Sequence, residues 1–432
     1  MLVGGEPGPW GHVVDGGRRR RLLKRITAVV AVGGLVAGAA IGTTGLLLVQ
    51  QTEANLTRVA VPELEQAPVA TDARNFLLVG SDARDGIADD DRSELSLGDF
   101  EGQRSDTIIY VSISEDRNAV SLVSLPRDLL VRDGDQRRKL TDTFAGGPDQ
   151  LVRVVRENFG LPVNHYAQVS LGGFIEVVRT LGGVQMCPDE PLVDPKSGAD
   201  FAAGCQQFGP TEALAYVRSR KGSRADFERI DRQQEFLTSV LGELTATRTL
   251  ANAPQLFRLV EDLATNVTTD ESLGLNQMLG LANEMRQVVD GGVPMTTVPA
   301  YPRTIDGLAF MVPYGPGATA MFDDLRAGRP LAERGSREQR DETVVALWSG
   351  GRDAGIVRST LQWAGFRPGL AGSGPTEADA GSTTTVYIVP GEERAAGWVA
   401  ATLGAPMRPL PAGATPPADA TVVVGVGDDG TG

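Results

Sequence analysis

Residues 104–131 read RSDTIIYVSISEDRNAVSLVSLPRDLLV. Two runs rich in β-branched and aromatic residues, Thr107–Ile113 and Ala119–Leu125, flank the polar turn Glu115–Asn118, a spacing that predicts an antiparallel hairpin. Charge brackets the hairpin: Arg104-Ser105-Asp106 leads in, and Pro126-Arg127-Asp128 leads out. Upstream, NFLLVG at 75–80 is a short apolar run bounded by turn residues and predicts a third strand, ending at Ser81-Asp82. Downstream, helices are predicted over 148–158 and 171–181, with a strand at 165–170 between them and Gly182-Gly183 closing the second helix. Pro210–Leu214 predicts a short helix and Tyr216–Arg220 an extended segment. Residues 226–244 form a helical pattern with the apolar stripe Phe227, Ile230, Leu237 and Leu241; further helices are predicted over 254–263 and 271–289. Strands interleaved with covering helices predict a layered α/β domain over 73–328. The charged stretch 329–341 reads as a linker, and 342–427 repeats a strand-helix rhythm expected of a second, small α/β domain.

The N-terminal segment sets the compartment. Residues 18–25 read RRRRLLKR, and 26–49 carry no charged side chain. A run of that length spans the ~30 Å hydrocarbon core of a bilayer at ~1.5 Å per residue, whereas a cleaved signal peptide has an apolar core of only about 7–15 residues. The expectation is one transmembrane helix over 26–49, with 1–25 a basic cytoplasmic tail, 50–72 a spacer, and the body outside the cell. The cytoplasmic tail is too short for a helix-turn-helix module. Outside, Cys187 and Cys205, in a Pro/Gly/Asp-rich stretch without a C-x-x-C pair, read as a disulfide; two buried thiols are the alternative.

The 432 residues carry a net charge of −14, and the first fifty are net basic, so the body is more acidic still. Nucleic acid is excluded as a general partner, because affinity for it comes mainly from neutralising phosphates. Any anion must be held by a local cluster of Arg, which outnumbers Lys 37 to 4. Two His and two Cys remove most zinc, haem and His-based hydrolase chemistry. His165 reads as structural, and the acidic stretch 85–103 as a solvated loop.

Four segments place charge where strand patterns predict burial: Gly80-Ser81-Asp82, at a strand's carboxyl end where α/β sheets place ligand sites; Arg104-Ser105-Asp106; Pro126-Arg127-Asp128; and Tyr216-Val217-Arg218-Ser219-Arg220. In an extended chain i and i+2 share a face, so Arg104 is expected beside Asp106 and Arg218 beside Arg220. Paired guanidiniums match phosphate oxygens bidentately, and two carboxylates beside them suit Mg²⁺. Arg, Asp and a metal without a His or Cys nucleophile are the equipment of phosphoryl transfer. Taken singly, each segment reads equally as an Arg–Asp pair at a sheet edge. Gln234, on the apolar stripe of its helix, is a satisfied core amide or a ligand contact; Arg229 and Arg232 flank that stripe and either reach the site or face water. Lys139 touches a phosphate or lies on the surface. No G-x-x-x-x-G-K-[ST] loop is present, which argues against a nucleotide donor.

Taken together, NFLLVGSDAR (75–84), RSDTIIYVSI (104–113), VSLVSLPRDLLV (120–131), HYAQVSLGGFIEVVRTLGGV (165–184), ALAYVRSR (213–220) and DFERIDRQQEF (226–236) resemble, in order and spacing, the LytR-CpsA-Psr family of bacterial cell-wall proteins. The resemblance implies a three-layer α/β/α sandwich with a central mixed sheet, preceded by one transmembrane helix and followed by a small α/β domain like the LytR C-terminal domain of actinobacterial members. It implies transfer of a glycopolymer (teichoic acid, capsule or arabinogalactan) from a polyprenyl pyrophosphate carrier onto peptidoglycan, forming a phosphodiester. Asp82 and Asp106 are then expected to serve Mg²⁺. Arg104, Arg127, Arg218, Arg220 and Gln234, with Lys139, are expected to grip the pyrophosphate, and Asp82 to help deprotonate the attacking hydroxyl. The alternatives are a non-catalytic wall-binding or regulatory protein that docks anionic polymer, and a phosphatase acting on the same carrier.

Overall fold

The computed structural model describes residues 57–65, 73–81, 105–114, 119–221, 225–245, 267–274, 277, 295–370 and 381–430. The 26–49 span, the acidic stretch 85–103, the 254–263 helix, most of 271–289, Asp82 and Arg104 lie outside them. Among the described residues no helix is long and apolar enough to cross a membrane.

The predicted hairpin sits in a seven-stranded sheet. Its strands are β1 (Thr57–Val59), β2 (Ala73–Ser81), β3 (Ser105–Ser114) and β4 (Ala119–Ser124), then, beyond a small hairpin β5 (Leu130–Asp133)–β6 (Gln136–Lys139), β7 (His165–Val169), and, beyond four short strands β8–β11 between Val184 and Phe208, β12 (Val267–Asp270) and β13 (Met295–Thr297). The spatial order is β1-β12-β7-β2-β3-β4-β13. The sheet is mixed: β2–β3, β3–β4 and β7–β12 pair antiparallel, and β2–β7, β1–β12 and β4–β13 parallel.

The longer helices are α1 (Pro148–Phe159), α2 (Leu171–Leu181), α3 (Pro210–Arg218), α4 (Ala225–Thr245), α5 (Gly315–Arg326), α6 (Arg337–Glu342), α7 (Gly355–Trp363) and α8 (Glu393–Leu403). One face of the sheet, with Leu77, Val79, Ile108, Tyr110 and Val123, packs on Leu151, Val152 and Val155 of α1 and on Met321, Phe322 and Leu325 of α5. The other face, with Phe76, Ile109, Val111, Ile113 and Leu122, meets Leu237 of α4. Strands buried on both faces need apolar residues at consecutive positions, which is why TIIYVSI is a run and not an alternation. Tyr110 fits there because its hydroxyl donates to the Pro162 carbonyl at 2.7 Å. Helix α1 carries its own signals: Pro at its start, Asp149 in the first turn, Arg156 in the last, and a left-handed Gly160 whose N–H closes on Arg156 O.

A second cluster joins α2, α3 and α4 to β8–β11. The Cys187–Cys205 bond staples this excursion.

Two expectations change. Tyr216–Arg220 is not one extended segment: α3 runs to Arg218, Ser219 is its extended C-cap, and only then does the chain leave the helix. The alternation Y-V-R-S-R imitates a strand, but Ala213, Leu214, Tyr216 and Val217 all bury against the second cluster, and burial outweighs local pattern. The same-face pairing of Arg218 with Arg220 therefore does not hold. The expected linker 329–341 also ends in a helix. Ser336-Arg337-Glu338-Gln339 forms a capping box, Ser336 Oγ accepting from the Gln339 N–H and Gln339 Oε1 from the Ser336 N–H, and this starts α6.

After β13 the chain forms the hairpin β14 (Ala300–Ile305)–β15 (Leu308–Pro313), passes through α5, and builds a second sheet. Its strands β16 (Val344–Trp348), β17 (Arg367–Leu370), β18 (Thr385–Ile388), β19 (Met407–Pro409) and β20 (Val422–Gly425) order as β17-β16-β20-β18-β19, with β18–β20 the antiparallel pair. The two sheets belong to one compact unit, Asn55–Gly432. Tyr314 is buried in the second core, and Tyr301 packs against it, partly buried. At the seam of α5 and α8 the backbones touch: a Cβ on Gly317 would stand 2.1 Å from Thr402 O, and one on Gly404 2.5 Å from Pro316 O.

Candidate active site

A cleft of about 170 Å³ opens where β4 ends and β3 begins. Its polar lining includes Thr107, Arg127, Asp128, Lys139, Arg229 and Gln233. Arg127 and Asp128 sit in the turn after β4, closed by the Leu129 N–H donating to Pro126 O at 2.8 Å. Lys139 arrives at the end of β6, and the strand exit is tied to that turn by the Thr141 N–H donating to Arg127 O and the Leu140 N–H to Leu129 O, each at 2.9 Å. The Met311 N–H of β15 donates to Asp128 O, also at 2.9 Å, so three segments meet at Asp128.

Its side chain organises the cations. Lys139 Nζ lies 2.8 Å from Asp128 Oδ1, and Arg127 Nε 3.4 Å from Oδ2. Burial opposes ionisation of Asp128, but the hydrogen bonds and charges of Lys139 and Arg127 prevail and hold its carboxyl below the usual range. Without this carboxylate the cations would repel one another before any anion arrived.

The far wall comes from α4. Arg229 is buried, 7% exposed, and Gln233 follows one turn later on the same face. Thr107 Oγ1 lies 3.4 Å from Gln233 Oε1, joining α4 to the start of β3. Among the described residues the cleft gathers Arg127, Lys139 and Arg229 with Asp128, in a chain of net charge −14. Such a pocket suits an anion with several oxygens.

The structure separates the sequence candidates. Arg127 and Lys139 meet in the cleft. Asp106 lies in β3 one residue before Thr107, and Asp82 follows Ser81, which pairs with Ser105 across β2–β3; the Asp82 and Arg104 positions and the Asp106 side chain lie outside the described residues. Gln234 turns the other way: its Nε2 donates to Thr297 Oγ1 at 2.8 Å, and it lines a cavity of about 40 Å³ with Asp231, Arg334 and Arg340. The amide in the cleft is Gln233. Arg218 and Arg220 are exposed and do not line the cleft. Of the two flanking arginines, Arg229 reaches the cleft. Arg232 neither reaches it nor faces water: 4% exposed, it donates to Ser219 O at 2.7 Å and to Lys221 O at 3.4 Å, satisfying carbonyls beyond α3.

The stapled excursion fixes the same turn from the other side. Asp194 Oδ2 accepts from Ser219 Oγ at 2.8 Å and from the Arg220 N–H at 3.1 Å. Glu235 accepts from the Tyr216 hydroxyl at 2.6 Å and the Cys187 N–H at 3.1 Å. His165 is occupied elsewhere, its Nδ1 3.3 Å from Asp270 Oδ2. Among the described residues no three His, Cys, Asp or Glu side chains group to hold a metal. Asp128 and Gln233 were the residues to find from sequence: the first sits inside the P-R-D segment, and the second lies four residues after Arg229, the spacing that aligns side chains on a helix.

Known proteins share this architecture. The LytR_cpsA_psr family profile matches residues 48–327. The LytR-Csp2A-Psr enzyme from Actinomyces oris superposes with a TM-score of 0.50 at 22% identity, covering 63% of this chain and 96% of that one, and so shares the fold. The polyisoprenyl-teichoic acid–peptidoglycan teichoic acid transferase TagU of Oceanobacillus iheyensis is 30% identical over 226 residues, 50% of this chain and 65% of that protein. The probable cell wall biosynthesis protein LcpB of Corynebacterium glutamicum is 35% identical over 323 residues, 72% of this chain and 73% of its own length. A profile match across more than half the chain, and a relative this similar along most of its length, establish that the chain belongs to the LytR_cpsA_psr family.

Proposed function

We propose that this chain is a membrane-anchored phosphotransferase that moves a glycopolymer from a polyprenyl pyrophosphate carrier onto peptidoglycan. The convergence of Arg127, Lys139 and Arg229 around Asp128, in a cleft with an apolar side, carries this reading. The transferase activity of the TagU relative and the cell-wall biosynthesis role named for LcpB support it. The 26–49 span anchors the chain with the body outside, where the Cys187–Cys205 bond is at home.

The cations bind the carrier's diphosphate. Arg127 and Arg229 offer planar forks and Lys139 a point charge, while Asp128 fixes the positions of Arg127 and Lys139. The acceptor's sugar hydroxyl oxygen attacks the glycan-bearing phosphorus and forms the new P–O bond. The anhydride P–O bond breaks, and polyprenyl phosphate leaves with the electron pair. Charge growing on the bridging and terminal oxygens meets donors already in place, the main source of rate in such sites. Asp82, directly after β2, takes the hydroxyl proton, and Arg104 adds a further donor.

Mg²⁺ belongs to this reading through Asp82 and Asp106, hard oxygen donors carried next to a lining residue and next to its paired strand. When bound it supplies further neutralisation of the diphosphate.

The test uses the full chain in detergent with a polyprenyl pyrophosphate-linked saccharide and a peptidoglycan fragment. Arg127→Ala lowers transfer by about 10²–10³-fold, the loss typical of a charge-stabilising donor. Transfer unchanged by Arg127→Ala overturns the reading. Release of polyprenyl phosphate and saccharide phosphate with an unmodified acceptor makes the chain a phosphatase acting on the carrier instead.

A further inference from the structure

The cleft described above is not built by the first sheet alone. Against its basic lining stands an apolar wall of Pro302, Ala309, Phe310 and Met311 from the β14–β15 hairpin, and of Trp363. Trp363 is the last residue of α7, which belongs to the second sheet's unit. Its indole also packs on the first core and lines the smaller cavity.

This placement is fixed by several independent contacts. Tyr314, after the hairpin, inserts into the second core, and Tyr301, near its start, packs against that core, partly buried. Asp231, the neighbour of cleft residue Ile230, lies 3.5 Å from Arg340 and 3.9 Å from Arg337, both of α6. Arg334 donates to Ala401 O of α8 at 2.9 Å. The Gly317–Thr402 and Gly404–Pro316 contacts leave no room for a side chain between the units. A module tethered for separate wall binding needs none of this.

We infer that the C-terminal α/β unit is a structural part of the donor site, and that Trp363 is the specificity contact for the apolar chain next to the diphosphate. The inference rests on the proposed phosphotransferase reading. The wall's chemistry selects the isoprenoid over a sugar: Pro302, Ala309, Phe310 and Met311 offer no side-chain hydrogen-bond partner, and a sugar hydroxyl buried against them would lose its hydration uncompensated. An isoprene unit loses nothing there, and an indole offers it a broad apolar face.

The experiment measures binding of farnesyl pyrophosphate and inorganic pyrophosphate to the full chain in detergent. Trp363→Ala is expected to weaken farnesyl pyrophosphate about tenfold, equivalent to about 1.4 kcal/mol, and to leave inorganic pyrophosphate unchanged. Trp363→Leu keeps an apolar wall and the α7 packing, and is expected to retain most of the farnesyl affinity, whereas Trp363→Ser is not. Arg127→Ala weakens both ligands. If Trp363→Ala and Trp363→Ser leave farnesyl pyrophosphate binding at the parent level while Arg127→Ala weakens both ligands, the inference fails and the phosphotransferase reading stands. If Arg127→Ala changes neither ligand, the reading itself fails. If Trp363→Ala weakens a soluble sugar diphosphate but not farnesyl pyrophosphate, the isoprenoid assignment is overturned.

Discussion

Gly317→Ala adds one methyl group, and the seam of α5 and α8 has no space for it. The new Cβ would stand 2.1 Å from the Thr402 carbonyl oxygen, 3.2 Å from its carbon and 3.3 Å from Leu403 C. Reaching even 3.0 Å from that oxygen requires the helices to part by about 1 Å. Both sides of the clash are backbone, so no rotamer change relieves it. Overpacking of this kind costs about 1–3 kcal/mol, against which the better helix propensity of alanine returns at most ~1 kcal/mol. Gly397 supplies the control. It lies inside α8, where a Cβ meets nothing within 4 Å, so Gly397→Ala should stabilise by about 0.5–1 kcal/mol. Urea unfolding of both variants and the parent is the assay, with midpoints expected on opposite sides of the parent. If Gly317→Ala raises the midpoint as Gly397→Ala does, the close-contact reasoning is wrong.

Asp128→Asn tests the centre of the cleft. Because the folded carboxyl titrates below its unfolded value of about 3.9, its contribution is present above that pH and disappears as pH falls through the folded pKa. The partly exposed ion pair contributes up to about 1 kcal/mol, so the stability gap between parent and Asp128→Asn should close as pH drops below about 4; a gap that widens would contradict it. Arg229→Ala should cut transfer by about 10²-fold or more, and Gln233→Ala should lower it too. Gln234→Ala should leave transfer near the parent and remove only the Thr297 hydrogen bond, about 1 kcal/mol of stability; the three turnover rates decide. Cys205→Ser opens a loop with a sequence separation of 18 and should destabilise by about 3 kcal/mol in the loop-entropy account, seen as a urea midpoint lowered to that of the reduced parent.

The sheet was legible because its evidence is local. NFLLVG and TIIYVSI are continuous apolar runs, and only a strand buried on both faces needs them. The charge after VSLVSL is at the cleft, where Arg127 lines it and Lys139 joins from β6. The rest depended on tertiary packing. One helical step is about 100°, so Gln233 and Gln234 face different cavities and the sequence pattern alone does not choose between them. Phe227, Ile230, Leu237 and Leu241 define one stripe, yet α4 touches two core clusters and a cleft, so a single stripe cannot say which polar residue faces which. The Arg218–Arg220 alternation failed because helix packing overrode it. Trp363 could not be assigned at all, since no local pattern connects it to Arg127, more than two hundred residues earlier. Ser336–Gln339 was readable as a capping box, and the charge around it hid the signal.

Tyr314 is 2% exposed, covered by residues from the second sheet and its helices, and Tyr301 packs partly buried against the same cluster. The family profile ends at residue 327, just before that cover begins. A protein severed there would keep every recognised motif yet bare two aromatic rings and lose one side of its own binding groove. Where the family profile stops and where cooperative folding stops are different places in this polypeptide, and expression boundaries should follow the second.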